Sequence, residues 1–282
     1  MSPGKILTMV AALLLVAAAP APRTLRLGTT TSAQSSGILD RLLPPFEKKY
    51  GVKVQVIAEG TGKALKTAAD GNVDLVLVHA AKLEEKFVAD GYGVNRTLIM
   101  RNDFVLVGPP SDPAGLKSAK DLEGALRLLK DHQALFIARA DNSGTDEKER
   151  ELWSLVGGPP PAGQRLEIGQ GMEPALRMAH EKQAYTLSDR GTYLSMQDKL
   201  PDLAILLGGQ TLADNKDKSL LNPYGVLAVN PDKFPNVNAD LAQKFVTWLL
   251  SVETQKMIGA YGVDKFGQPL FYANSEEYKA AQ

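Results

Sequence analysis

Three short segments of the sequence combine hydroxyl side chains with other donors that suit an anion. The first is Gly28-Thr29-Thr30-Thr31-Ser32, and the second is Arg139-Ala140-Asp141-Asn142-Ser143-Gly144-Thr145. The third is Thr186-Leu187-Ser188-Asp189-Arg190-Gly191-Thr192. Hydroxyls and the free N–H groups of a helix start donate hydrogen bonds to an anion, and arginine adds a charged fork of donors. The chemistry that these segments indicate is the binding of a small oxyanion.

Each segment taken alone has an ordinary structural interpretation as well. Serine and threonine are common N-caps, Arg139 can pair with Asp141, and Arg190 can pair with Asp189. The three segments together are more informative, because ligands of open α/β sheets bind beyond the carboxyl ends of the strands. We therefore expect the three turns to meet at one cleft.

A fourth glycine-rich segment and the histidines give weaker signals. Gly60-Thr61-Gly62-Lys63 lacks the full spacing of a phosphate-binding loop, so we interpret it as a turn that lines the cleft at Gly62. His79, His132 and His180 form no His-x-x-x-His pair, which argues against a zinc site. Ser143 lies in no Gly-x-Ser-x-Gly elbow, so a phosphoester hydrolase is the weaker alternative.

Composition restricts the partners and the compartment. Lysine plus arginine and aspartate plus glutamate are balanced at 32 each, which argues against nucleic acid and anionic membranes as partners. Lys5, the apolar run 6–19 and the small residues at its end predict a signal peptide over residues 1–19. With 0 cysteines there is no lipid-anchoring cysteine, so we expect a periplasmic protein that is free of the membrane.

The three hydroxyl-rich segments need strands and helices that hold them at one edge of a sheet. Short apolar runs such as Thr24–Leu27, Asp74–Val78 and Leu135–Ala138 predict strands, and amphipathic stretches between them predict helices. Pro44 and Pro45 predict a kink or a division of the helix that contains them. The alternation of strands and helices is typical of an α/β fold with a mainly parallel sheet and helices on both faces.

Several further motifs occur in a fixed order along the chain and resemble those of the tungstate-binding components of bacterial ABC transporters. The resemblance covers nearly the whole chain after the signal peptide, so it is more specific than any single motif. The motifs are Thr29-Thr30-Thr31-Ser32, Val78-His79-Ala80, Gly93-Val94-Asn95-Arg96, Asn102-Asp103-Phe104, Asp141-Asn142-Ser143-Gly144-Thr145, Gly169-Gln170-Gly171-Met172, Tyr185-Thr186-Leu187-Ser188-Asp189-Arg190-Gly191 and Asn222-Pro223-Tyr224-Gly225-Val226.

The resemblance implies the two-lobed periplasmic-binding-protein fold of type II, with two mixed, mainly parallel sheets and a ligand cleft between the lobes. The chain is then expected to cross between lobes twice, near Asp103–Gly108 and near Asn222–Val229. The first lobe is expected over residues 23–104, the second over 105–225, and the return to the first lobe over 226–282.

The resemblance also implies which residues hold the ligand. One position departs from the pattern, because many relatives have histidine after Ser-Gly-Thr and this chain has Asp146. A carboxylate that faced the anion would repel it, so we expect Asp146 to face away or to cap the helix. The residues implied as ligand contacts are Thr30, Thr31, Arg139, Ser143, Thr145 and Arg190, and the chemistry of the turns adds Ser32 and Gly62.

The function that the resemblance implies is the capture of tungstate for an ABC permease, without a cofactor, a resident metal or an enzymatic step. Tungstate is fully deprotonated at neutral pH, so a lining made only of donors would discriminate against protonated phosphate. The sequence leaves molybdate or another oxyanion, and an anion-sensing domain, open as alternatives. We expect a monomer.

Overall fold

The structure is a computed structural model that describes residues 23–280, apart from the side chain of Glu277. The predicted signal peptide over residues 1–19 lies outside this range. The strands are β1 (Arg23–Thr30), β2 (Val52–Glu59), β3 (Leu75–Val78), β4 (Gly93–Gly108), β5 (Phe136–Ala138), β6 (Arg165–Glu167), β7 (Tyr185–Asp189), β8 (Ala204–Leu207), β9 (Leu221–Val229) and β10 (Tyr272–Ala273). The helices are α1 (Thr31–Ser35), α2 (Ile38–Tyr50), α3 (Thr61–Ala69), α4 (Ala81–Ala89), α5 (Leu122–Asp131), α6 (Gly144–Ser154), α7 (Met172–Lys182), α8 (Arg190–Met196), α9 (Ala239–Leu250), α10 (Val252–Ala260), α11 (Val263–Phe266) and α12 (Glu276–Ala280).

Two sheets share the long strand β4. The first sheet has the order β2-β1-β3-β9-β4, and β10 pairs with β4 at Met100 and Arg101. The second sheet continues from β4 through β7 and β5 to β6, and β8 also pairs with β4. Parallel pairing joins β1 to β2 and β3, and β5 to β6 and β7, whereas the pairs of β4 and β9 are antiparallel. The predicted α/β class with mixed sheets is confirmed.

The strand β4 passes from one lobe to the other between Asp103 and Phe104. Asp103 pairs with Leu221 in the first sheet, and Phe104 pairs with Asp189 in the second sheet. The strand β9 lies in the first sheet from Leu221 onward. Residues 221–225, which we assigned to the second lobe from the sequence, therefore pair with strands of the first lobe.

Helix α2 shows tertiary packing overriding a local sequence rule. Pro44 and Pro45 lie inside one helix that runs from Ile38 to Tyr50, so the two prolines do not divide it. The helix buries Phe46, whose ring meets that of Phe245 of α9 edge-on at a centroid distance of 4.8 Å. A buried side chain of this size contributes about 1.5–3 kcal/mol, which helps to offset the roughly 3 kcal/mol that a proline costs inside a helix.

Apolar cores support both lobes, and the second lobe has its own core around Phe136 and Trp153. The edge-on contact of these two rings, at 5.2 Å between centroids, fixes α6 against β5. The start of α6 is thereby held at the carboxyl end of β5. Within residues 23–280, no helix combines the length and the apolar character that a membrane crossing requires.

Candidate anion-binding cleft

The starts of helices α1, α3, α6 and α8 come together between the two lobes. At the start of α3, Gly62 N donates to Asn142 O, just before α6, at 3.3 Å. The starts of α1, α7 and α8 border a cavity of about 290 Å³. His79, directly after β3, lies against the start of α6, since a Cβ on Gly144 would be 3.0 Å from its ring. Helix starts carry N–H groups without intrahelical partners, so this cleft concentrates hydrogen-bond donors.

The first predicted turn is placed at the first-lobe side of this cleft. Thr30 is the N-cap of α1, and its hydroxyl accepts from Ala33 N at 3.1 Å. The hydroxyl oxygens of Thr30 and Ser32 are 3.1 Å apart, and both residues are buried. Thr31 is half-buried and lines the cavity beside Gly171. The structure therefore brings the three predicted residues of this turn together.

Arg139, at the end of β5, is buried and only partly paired. Its Nη2 donates to Asp141 Oδ2 at 2.5 Å, so the local ion pair does form. Its Nε and Nη1 are buried and have no hydrogen-bond partner within residues 23–280. A buried donor without an acceptor is costly, and more so when the donor is charged. Two charged nitrogen donors, Nε and Nη1, are thus available to an acceptor that enters the cleft.

The start of α6 is closed by a reciprocal cap. Ser143 Oγ accepts from Asp146 N at 3.2 Å, and Asp146 Oδ2 accepts from Asn142 N at 2.9 Å. The Asp146 carboxylate also pairs with Arg150 at 3.0 Å. The expectation that Asp146 caps the helix is confirmed. Thr145, at the same helix start, has a buried hydroxyl that finds no partner in the described part of the chain.

The glycine-rich segment before and within α3 contributes through a residue that we did not select. Gly62 N is already engaged with Asn142 O, so it links the two lobes through the backbone. Lys63 is exposed and pairs with Glu59 at 3.0 Å. Thr61 is fully buried, and its hydroxyl has no partner among the described residues. The free side-chain donor of this segment is therefore the Thr61 hydroxyl.

Arg190 lies at the crossing between the lobes. Its Nε and Nη2 each donate to an oxygen of Asp103 at 2.7 Å. Its remaining N–H groups donate to the carbonyl oxygens of Gly208, Gly209 and Gln210 at 2.6, 2.9 and 2.9 Å. All guanidinium donors are thereby occupied. Arg190 ties the start of α8 to the crossing strand β4, and none of its N–H groups is left for a ligand in this structure.

A chain of buried polar side chains, which we did not predict, runs behind the first turn. Ser32 Oγ lies 3.1 Å from His79 Nε2, and His79 Nδ1 lies 3.0 Å from Asn222 Oδ1. Asn222 Nδ2 donates to Asn102 Oδ1 at 2.7 Å. The chain connects the cleft to the two strands β4 and β9. Its asparagines belong to motifs that support the family resemblance, but those motifs do not reveal a role for them.

The imidazole of His79 is neutral at neutral pH. Burial, followed by the positive charge of Arg139, lowers the pKa of His79 from 6.5 to about 4. The ring stacks on Tyr224 at a centroid distance of 4.6 Å. Burial raises the pKa of Tyr224 well above its ordinary value, so this phenol remains a hydrogen-bond donor.

Donors outnumber acceptors among the unpaired buried groups of the cleft. One acceptor, Asp189 Oδ2, is also buried without a partner within residues 23–280, and burial raises the pKa of this carboxyl. We had expected a lining made only of donors, and the Asp189 carboxyl departs from that expectation. The excess of donors still suits an anion. Within this cleft, the donors that have no partner among residues 23–280 are Arg139 Nε and Nη1, the hydroxyls of Thr61, Thr145, Thr192 and Tyr224, and Asn102 Nδ2.

The cleft is better suited to binding than to catalysis. Ser32, His79 and Asn222 follow the order of a nucleophile, a base and an orienting residue. A general base works best when its pKa is near the operating pH, and the lowered pKa of His79 makes it a weak base. Ser143 contacts Asp146 N rather than a base. Within the described residues, no group of His, Cys, Asp or Glu side chains could hold a metal ion.

Two α/β lobes that share a crossing strand, with helix starts facing each other between them, define a two-lobed binding protein. The family model described as the PBP superfamily domain matches residues 16–253 of the chain. This match covers most of the first lobe and the whole of the second lobe.

Within this superfamily, the similar proteins identify a more specific family. The tungstate-binding protein TupA of Peptoclostridium acidaminophilum is 47% identical over 251 residues, which cover 88% of this chain and 85% of that protein. The crystal structure of the tungstate ABC transporter from Geobacter sulfurreducens is 52% identical, with a TM-score of 0.76, and covers 84% of this chain and 98% of its own. TupA from Desulfovibrio alaskensis is 42% identical, with a TM-score of 0.76, over 90% of this chain and 100% of its own. The chain belongs to this family of tungstate-binding proteins.

Proposed function

We propose that this protein captures tungstate in the cleft between its lobes and delivers it to an ABC importer. The observation that carries the proposal is the group of buried donors without partners at the facing helix starts. Buried polar groups are nearly always hydrogen-bonded in proteins, so a concentration of such donors calls for an acceptor-rich ligand. The choice of tungstate as the ligand is supported by the similar proteins, because those proteins are named tungstate-binding proteins.

The strongest contacts in this proposal come from Arg139. Its free Nε and Nη1 form charge-assisted hydrogen bonds with the anion, and these are stronger than bonds between neutral groups. The hydroxyls of Thr61, Thr145, Thr192 and Tyr224 donate from the surrounding helix starts and from β9.

Other predicted contacts fall into two groups. The hydroxyl of Ser143 accepts from Asp146 N and keeps its own proton for the ligand. Thr31 and Ser32 line the cavity at the start of α1, and the Thr30 hydroxyl lies beside that of Ser32. Gly62 acts in lobe closure through its bond to Asn142, and Arg190 acts at the crossing through Asp103. We therefore propose that Gly62 and Arg190 support the cleft without touching the anion.

The chemistry of the ligand sets which anions compete. Tungstate carries no proton at neutral pH, and all of its oxygens accept hydrogen bonds. Sulfate has the same charge and shape but is smaller, so the size of the closed cleft discriminates against it. Molybdate is nearly the same size as tungstate and is the alternative ligand. An anion-sensing role would use the same cleft and differ only in the partner that reads the closed form.

The proposed function also requires export of the protein and a partner in the membrane. The protein is exported by a signal peptide, acts as a monomer in the periplasm, and presents its closed form to a membrane permease. No cofactor takes part, and the anion leaves chemically unchanged. Turnover of a generic phosphoester by the purified protein would favour the hydrolase alternative.

Titration calorimetry tests the proposed function. The protein purified from the periplasmic fraction is titrated separately with tungstate, molybdate, sulfate and phosphate. We expect one tungstate per chain, and weaker or undetectable binding of sulfate and phosphate. Saturable binding of sulfate or phosphate, with no heat from tungstate, would refute the assignment.

A further inference from the structure

The side chains of Thr30, Ser32, His79, Asn222 and Asn102 form a single hydrogen-bond chain whose direction can be worked out. Asn222 Nδ2 donates to Asn102 Oδ1, so it is Asn222 Oδ1 that faces His79. His79 Nδ1 must then carry the proton of the neutral ring. Its Nε2 is an acceptor, and the hydroxyl of Ser32 donates to it.

This direction turns hydroxyl lone pairs, rather than hydroxyl protons, toward the cleft. The Ser32 proton is used by His79, and the Thr30 hydroxyl, 3.1 Å from Ser32 Oγ, can donate to the oxygen of Ser32. An oxyanion needs donors, so the observed direction opposes the very ligand that Arg139 and the helix starts attract. The conflict is local to the first turn, because the free hydroxyls of Thr61 and Thr145 do not belong to the chain.

The opposite direction of the chain is also available, and at its far end it places Asn102 Oδ1 where the unpaired Nδ2 now lies. As it stands, Asn102 Nδ2 is buried with no partner in the described chain. If the amides of Asn102 and Asn222 both turn over, Asn102 Nδ2 donates to Asn222 Oδ1, and Asn222 Nδ2 donates to His79 Nδ1. His79 Nε2 then carries the proton and donates to Ser32 Oγ, so that the Ser32 hydroxyl is free to donate into the cleft. The ring keeps one proton in both states, so the exchange needs no net proton uptake.

We propose that anion binding reverses this hydrogen-bond chain, which makes His79 a positioning residue that sets whether Ser32 accepts or donates. The inference rests on the proposed function, since it requires an oxyanion in the cleft. The two directions differ in which buried groups are satisfied, and neither leaves a charge unpaired. The ligand supplies the bias, because only one direction gives the anion a donor at Ser32.

The nearest charged and titratable neighbours of His79 are consistent with a neutral ring in the absence of anion. Arg139 opposes its protonation, and Tyr224, stacked on the ring, is uncharged. The stacking also holds the plane of the imidazole fixed. The reversal can therefore proceed by exchange of the ring proton between Nδ1 and Nε2 while the ring stays in place.

Nitrogen-15 NMR of histidine-labelled protein tests the proposal, since it reports which ring nitrogen carries a proton. The chain has 3 histidines, and the His132→Gln and His180→Gln variants assign the signals without changing the cleft. We expect His79 to be protonated at Nδ1 alone without ligand, and at Nε2 once tungstate is bound. The signals of His132 and His180 should not move on addition of tungstate.

Two serine variants test whether the reversal passes through Ser32. In Ser32→Ala the link between the anion and the ring is removed, so His79 should keep its proton at Nδ1 even when tungstate is bound. Ser118→Ala is the matched control, because Ser118 lies exposed in the second lobe and its hydroxyl donates to Gly115 O, and here the reversal should be as complete as in the native protein. Reversal in Ser32→Ala would overturn the proposed chain.

Calorimetry on the same samples separates the possible failures. If tungstate binds and Nε2 of His79 stays unprotonated, or if Nε2 is already protonated without ligand, the reversal is refuted and the proposed function stands. If tungstate does not bind, the proposed function fails and the reversal fails with it.

Discussion

Replacing Arg139 by glutamine should abolish most of the affinity for tungstate. The native guanidinium offers two buried nitrogen donors, Nε and Nη1, that find no acceptor within residues 23–280. A hydrogen bond to a charged group contributes about 1.5–3 kcal/mol, so the loss of two such bonds removes about 3–6 kcal/mol of binding free energy. At about 1.4 kcal/mol per tenfold change, affinity should fall by roughly 10²- to 10⁴-fold. The Asp141 carboxylate, 2.5 Å from Nη2 in the native protein, would also lose its counter-charge beside the dianion.

The assay is calorimetric titration of Arg139→Gln and two comparison variants with tungstate. Arg139→Lys keeps the positive charge without the planar fork and should bind with intermediate affinity. Arg150→Gln removes one positive charge from the same lobe, where Arg150 is half-exposed and pairs with Asp146 and Glu147, and should change affinity by less than about threefold. Thermal unfolding without ligand checks that each variant is folded. The reasoning is refuted if folded Arg139→Gln binds within about threefold of the native protein, or if Arg150→Gln weakens binding equally.

Three further predictions concern single groups. Thr145→Val removes one buried hydroxyl donor without changing shape, so tungstate affinity should fall by roughly 10- to 100-fold in calorimetry; an unchanged affinity would exclude that contact. Arg190→Met leaves the Asp103 carboxylate buried without its partner and should lower the free energy of unfolding by about 3–5 kcal/mol in urea titrations; a loss below about 1 kcal/mol would contradict the role at the crossing. Burial raises the pKa of Glu149 from 4.5 to about 7, so the folded state holds this proton more tightly, and stability should fall as pH rises from about 4.5 to 7. Glu149→Gln should remove up to about 3 kcal/mol of that total loss of stability, and an unchanged pH dependence would exclude Glu149 as its source.

The sequence was sufficient for the fold class and for the three hydroxyl-rich turns, because both depend on local patterns. Apolar runs followed by Thr30, by Arg139 and by Asp189 mark the carboxyl ends of β1, β5 and β7, and the structure has these strands. The capping role of Asp146 could also be anticipated, since a carboxylate at a helix start is favoured by the helix dipole and by free N–H groups.

The remaining parts of the cleft depend on contacts between distant residues, which no local pattern reveals. Asn222 reaches His79 from β9 across 143 positions of the chain, so the buried chain behind Ser32 exists only in the folded molecule. Arg190 is a second residue whose surroundings depend on distant contacts. Its position beside hydroxyls at a helix start suggested a ligand contact. In the structure its Nε and Nη2 instead donate to the carboxylate of Asp103, which lies 87 positions earlier in the chain.

A crystal structure of the tungstate complex, with anomalous scattering recorded at the tungsten absorption edge, tests the central claim most directly. The predicted result is one strong anomalous peak per chain in the cleft between the lobes, within hydrogen-bonding reach of Arg139 Nε and Nη1 and of the Thr145 hydroxyl. A peak elsewhere on the molecule, or none in crystals grown with saturating tungstate, would contradict the account.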